Sequence, residues 1–190
     1  DLIVSRGLGD VYKRQELAGA PAWMTTNVNF VSASSGANPT GDGSDARTDS
    51  GAPTAFSQTK FDTVMQSIWE NGGRPDTAYM SAFQLNKSLA FTGNNNQRAN
   101  VVAADERVVN SISIYLTPWG QVGLQASREN RSRDVLILQD DMWEIAELRG
   151  ARNTPLSVTG DSERRQLIQE LTLVCKNEAS SGIIADNTTT

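Results

Sequence analysis

The sequence predicts an α+β fold, and three observations carry that expectation. First, Phe61, Val64, Met65, Ile68 and Trp69 fall at i, i+3, i+4, i+7 and i+8, the spacing of one helical face. Second, the period changes to two after Val108. Ile112, Ile114 and Leu116 alternate with Ser111, Ser113 and Tyr115, and Val122, Leu124 and Ala126 alternate with Gly123 and Gln125. Third, the 190 residues are 38% hydrophobic and 6% aromatic, enough for one ordinary core but not a generous one.

Residues 1–15 (DLIVSRGLGDVYKRQ) resemble the translated sequencing-adapter string found at the ends of reading frames from environmental sequence data. They are read as such an artefact and kept out of the fold argument, so the natural chain is expected to start further upstream. Residues 16–55 read as a polar linker or loop, rich in Gly, Ser, Thr, Asn and Asp, with a small apolar anchor at Trp23 and Met24. This turn chemistry is too polar to bury, which leaves a solvated loop or an arm lying on a neighbouring subunit. The first helix begins near Phe56. Thr54 or Ser57 caps it, Gly72-Gly73 stops it, and Pro75 prevents its resumption. Its aromatic residues Phe61 and Trp69 read as core. Residues 76–80 form a short strand, and Ser81 caps a second helix carrying Phe83, Leu85 and Leu89.

Residues 92–100 read as an exposed, mobile Asn-rich loop. A hairpin follows, turning through Thr117, Pro118, Trp119, Gly120 and Gln121. A charged loop holds Arg128, Arg131 and Arg133, and residues 135–138 are a continuous apolar run suited to a central strand. Asp140-Asp141 makes a turn, residues 143–148 a strand, and residues 150–162 a loop containing Pro155 and Gly160. From 165 to 176, Leu167, Leu171, Leu173 and Cys175 share one parity, with Ile168, Glu170, Thr172, Val174 and Lys176 on the other, an extended strand. Residues 179–186 close the chain around Gly182, Ile183 and Ile184, and the final Asn-Thr-Thr-Thr is expected to fray.

Little catalytic chemistry is available. The chain has no histidine, which excludes Ser-His-Asp and Cys-His nucleophilic sites and every His-ligated metal. Cys175 stands alone, so there is no internal disulfide and no zinc cluster. Seventeen basic residues against 22 acidic ones argue against a dedicated DNA binder. No apolar run approaches the roughly 18 residues of a membrane span, and no membrane partner is expected. Asp140, Asp141, Glu144 and Glu147 are the densest acids. In a strand Glu144 shares a face with Ala146 while Asp141 and Glu147 lie opposite, so they do not converge on an acid/base pair or a metal. Asp42, Asp45 and Asp49 sit in a Gly-rich loop without the spacing of a calcium hand. Cys175 reads as a small core residue. Arg128, Arg131 and Arg133 read as a solvated loop or an intersubunit salt-bridge patch rather than a phosphate grip. No catalytic, cofactor-binding or metal residue and no cofactor are assigned.

Four blocks in order carry a resemblance: residues 46–80 (ARTDSGAPTAFSQTKFDTVMQSIWENGGRPDTAYM), 111–127 (SISIYLTPWGQVGLQAS), 134–150 (DVLILQDDMWEIAELRG) and 159–186 (TGDSERRQLIQELTLVCKNEASSGIIAD). Together they resemble the tailed-phage major capsid proteins of the Hong Kong 97-type fold, in the branch typified by phage SU-ten. The resemblance implies an axial domain over 56–158, return strands of the peripheral domain over 159–187, and a tail at 188–190. The family's N-terminal arm, extended loop and spine helix are not visible before Glu16 and are expected to be missing. The implied function is a capsid subunit that tiles hexamers and pentamers around packaged double-stranded DNA, assembled in the bacterial host cytoplasm. Implied partners are further copies of itself, the packaged DNA without sequence-specific contact, and portal, scaffold and decoration proteins. Leu171 and Leu173, with Arg128, Arg131 and Arg133, are the expected assembly residues. Some relatives weld lysine to asparagine across subunits, but nothing marks Lys60, Lys87 or Lys176 as reactive. An encapsulin-type compartment shell shares the expected fold, and a carboxylate-dependent hydrolase on an α/β scaffold is the alternative of a different class.

Overall fold

A computed structural model of the chain describes residues 19–30, 36–91, 96–98, 112–157 and 160–189. In chain order the elements are β1 (Val28–Asn29), α1 (Gln58–Glu70), β2 (Thr77–Met80), α2 (Ala82–Ser88), β3 (Asn96–Arg98), β4 (Ile112–Thr117), β5 (Gly120–Ala126), β6 (Val135–Leu138), β7 (Trp143–Pro155), β8 (Arg165–Cys175) and β9 (Gly182–Ile184). Seven strands form one mixed sheet in the order β1-β9-β6-β2-β5-β4-β3, while β7 and β8 pair only as a separate two-stranded sheet. The fold is α+β, mostly sheet with two α-helices among the described residues.

α1 forms where the helical period predicts it. The Ser57 hydroxyl caps it by accepting from the Lys60 amide at 3.4 Å. It ends at Asn71, where Gly72 takes φ +81, a conformation that side-chain-bearing residues rarely adopt. Phe61, Val64, Met65 and Ile68 are buried against the sheet. Trp69 departs from expectation at 58% exposure. Ile68, 100° around the helix, already faces the sheet, where its side chain closes on Gly182 of β9. Trp69 is thereby carried off the core face. β2, the Ser81-capped α2 and the β4–β5 hairpin stand as expected, with Thr117 paired to Gly120 across the turn.

The helices cover one sheet face. Ala78, Met80, Val122, Leu124, Val135, Ile137 and Ile184 meet α1 there, and Phe56, Phe61, Phe91 and Tyr115 stack edge-on or tilted at 4.9–6.4 Å between centroids. Leu136 and Ile183, alternating to the other face, pack with Met24 and Ala185.

Several segments read as loop or tail are structured. Residues 19–30 supply β1, parallel to β9 at the sheet edge, and Asn27, Arg47 and Ser50 are buried. The polar linker can enter the body because Asn27, Arg47 Nη2 and Ser50 find hydrogen-bond partners there, although Trp23 Nε1, Arg47 Nε and Asp49 Oδ1 are buried without one. Residues 96–98 form β3 against β4; residues 92–95 and 99–100 lie outside the described residues, as do residues 1–15 with the adapter-like reading and residue 190 at the end of the expected tail. Asn187, expected to fray, is fully buried, and the Thr188 amide donates to the Thr54 carbonyl at 3.0 Å. β7 runs on through the expected loop to Pro155. Two register shifts, near Glu147/Arg149 and Arg149/Arg152, break the alternation that would have shown it in sequence. The expected domain boundary after residue 158 falls between β7 and β8 in chain order, and β9, in the segment 159–187, lies inside the main sheet between β1 and β6.

Candidate assembly site

Among the described residues, the β7–β8 hairpin is the element that its own chain covers least. Thirteen residues of β7 at about 3.3 Å each give an arm roughly 40 Å long. Its base is anchored. The Trp143 indole N–H donates to Ser181 Oγ at 3.0 Å, the Gln139 amide donates to the same oxygen at 3.2 Å, and the Lys176 amide donates to the Met142 carbonyl at 2.9 Å. Beyond Trp143 every β7 residue is exposed, and β8 is exposed from Arg165 to Gln169. Among the described residues, five of the seven large apolar side chains left open to solvent lie here: Ile145, Leu148, Leu156, Leu167 and Ile168.

Register decides which residues share a face. Trp143 opposes Cys175, Ile145 opposes Leu173, and Glu147 opposes Leu171, with Leu167 further along opposite Asn153. Leu171 and Leu173 are half-buried, while Ile145 at 61% and Leu167 at 74% continue the same apolar strip into solvent. The two expected assembly leucines are therefore brought together with Ile145. An isolated two-stranded hairpin is marginal in water, and one carrying such a strip calls for cover from outside its own strands.

Two of the expected arginines pair within the chain. Arg131 pairs with Asp49 at 2.6 Å and lies 3.4 Å from Asp134, without hydrogen-bond geometry to it; Arg133 lies 3.3 Å from Asp186 and 3.8 Å from Asp49. Both are bound within the chain, because residues 47–50 fold back over the loop that carries them. Arg128 is exposed and does not join them. Arg47, Asp49, Ser50 and Asp186 are the members that sequence reasoning missed. The available signal was Arg47, the one basic residue of the linker, in an Arg-x-Asp-Ser run. Burial pushes the Asp134 carboxyl up against the opposing pull of Arg131, and burial also lowers Arg47.

The acids read as non-convergent diverge. Asp140 accepts from Thr77 Oγ1 at 3.1 Å, Glu144 pairs with Lys176 at 2.9 Å, and Glu147 accepts from the Gln169 amide at 3.3 Å on the opposite face. Asp42 accepts from Thr40 and from Ser44, which holds its carboxyl down to about 2, and Asp45 accepts from Thr40. The pair close a turn. Cys175 is half-buried opposite Trp143, its thiol pushed up by burial. Among the described residues no group of three or more His, Cys, Asp or Glu is placed to hold a metal ion, and no helix is long and apolar enough to cross a membrane.

A mixed-sheet body with a long arm whose apolar strip its own chain leaves open is an architecture suited to association between subunits. Comparison with protein families makes this specific: residues 6–188 match the SU10 major capsid protein family, and the chain belongs to that family of tailed-phage major capsid proteins. Its role is structural and its place is the virion capsid. The match begins inside the adapter-like stretch, at residue 6. A comparison with curated proteins finds no match.

Proposed function

We propose that the chain is the shell-forming subunit of a Hong Kong 97-type capsid, assembling into hexamers and pentamers that enclose double-stranded DNA. In this reading the seven-stranded sheet with α1 and α2 is the axial domain, and the β7–β8 hairpin belongs to the peripheral domain. The observation that carries it is the pairing of a family match over residues 6–188 with an exposed arm whose apolar strip needs neighbours. A net charge of −5 suits a wall that lies near packaged DNA without adhering to it. Assembly then takes place in the bacterial host cytoplasm, with portal, scaffold and decoration proteins as further partners.

The test is electron microscopy of particles purified from cells producing the protein, with nuclease-protected nucleic acid measured in the same fractions. Closed icosahedral shells protecting double-stranded DNA are expected. Shells filled with one protein cargo would point instead to a compartment shell of the encapsulin type, and a stable monomer at high concentration would contradict a capsid role.

A further inference from the structure

Residues 36–54 (GANPTGDGSDARTDSGAPT) contain no apolar side chain larger than proline, yet they lie against the body with Pro39, Arg47 and Ser50 buried. Apolar burial is too small to hold them. Their attachments are polar: Asp49 to Arg131 and Arg133, Ser50 Oγ to the Asp186 carboxylate, and Arg47 Nη2 to the Met24 carbonyl at 3.1 Å. Asp186 is fully buried and holds φ +57, the one non-glycine residue with positive φ among those described. The strain aims its carboxylate at Ser50 and Arg133.

Beneath this segment lie Met24, Thr25 and Phe30, the residues flanking β1 at the edge of the main sheet. The Arg47 guanidinium stands 5.7 Å from the centroid of the Phe30 ring, Gly36 packs against that ring so closely that a Cβ would collide, and Gly41 packs on Thr25. β1 ends the sheet and is hydrogen-bonded to a neighbouring strand on one side only. Such an edge pairs readily with a strand from another chain. The side chains of Arg131, Arg133 and Asp49 keep 33%, 37% and 29% of their surface in solvent, so their attraction weakens as salt rises.

We propose that residues 36–54 are a salt-released strap, and that opening it uncovers the β1 edge for a strand of a second copy of the chain. The second copy follows from the capsid reading, on which this part rests; the strap and its ionic lock do not depend on it. The lock comprises Arg47 and Asp49 on the strap, Arg131, Arg133 and Asp134 before β6, and Asp186 after β9.

Arg47 is itself the reporter, because trypsin cuts after it only when the strap is open. Cleavage that tracks the open population should run about tenfold faster in roughly 1 M salt than in roughly 0.1 M. Asp49→Asn should show the fast rate at low salt, and Asp49→Glu should restore protection, with circular dichroism confirming that each variant is folded. The wild-type salt series decides the lock even where a variant does not fold. Light scattering supplies the second readout, since opening should move the onset of assembly to lower protein concentration. Cleavage at Arg47 that ignores both salt and Asp49 overturns the lock. A strap that opens while assembly onset stays put overturns the β1 edge as its target. If the wild type assembles under no condition while cleavage follows salt, the capsid reading and the second copy fall, and the lock is supported.

Discussion

The side-chain amide of Asn27 is used at both ends. Its Nδ2 donates to the carbonyls of Ala179 at 2.6 Å and Ser181 at 3.0 Å, and its Oδ1 accepts from Ser67 Oγ at 2.7 Å and Asn71 Nδ2 at 2.8 Å. One buried residue thus joins the edge strand, α1 and the turn before β9. Asn27→Ala strands several of these partners away from water, at about 1–3 kcal/mol for each group left unsatisfied. A loss of about 3 kcal/mol or more is expected in urea unfolding. Nothing in the local sequence marks this residue, since its partners lie 40 to 154 positions away. Asp134 makes a second prediction at this scale. Burial raises its carboxyl above the ordinary 3.8 in the folded state, so between those two values folding takes up a proton. Its contribution to stability therefore grows as pH falls through that window and is lost as pH rises through it. Urea midpoints measured at rising pH from just above 3.8 should show this slope in the wild type and lose it in Asp134→Asn.

At the scale of elements, period carried most of what was legible. α1, β2, α2, β4, β5, β6 and β8 follow from spacing, caps and turn residues. α1, β2 and β5 each bury one face, and that burial writes their pattern, while β6 is buried on both faces and reads as a continuous apolar run. In β4 the alternation marks the strand but not its inner face, since Tyr115 is buried and Ile114 is exposed. β7 beyond Leu148 was illegible for the opposite reason: both its faces are open to solvent and its register shifts twice, so no alternation is imposed on it. β1 and β3 are two and three residues long, too short for any period to register. The arginines were legible as a run, but the carboxylate partners of Arg131 and Arg133, Asp49 and Asp186, were not, since distant segments supply them. The leucine strip was placed correctly on one face of β8, and it carries the element-scale prediction. Fully covering a leucine is worth about 1.5–3 kcal/mol, and a charge placed where no partner waits is unfavourable on burial. Leu171→Asp should therefore leave the main sheet folded, with a melting temperature near that of the wild type, while electron microscopy finds no regular shells. Normal shells from this variant would remove the strip from the contact surface.

For the whole molecule, the division of labour is between a body that completes its own core and an arm that does not. The sheet face under α1 is closed by Phe61, Val64, Met65 and Ile68, whereas Ile145, Leu148 and Leu167 of the arm are left open. A capsid subunit accommodates such an arm because copies arranged by symmetry supply cover that one chain cannot. The direct measurement of this account is amide hydrogen exchange followed by mass spectrometry on assembled and dissociated protein. Peptides spanning β7 and β8 should exchange at least about a hundredfold more slowly in the assembly, while peptides from α1 and β6 change little, since their protection is already intrinsic to the subunit. Equal exchange of the hairpin in the two states would contradict the account, because the arm would then be uncovered in the capsid as it is in the single chain.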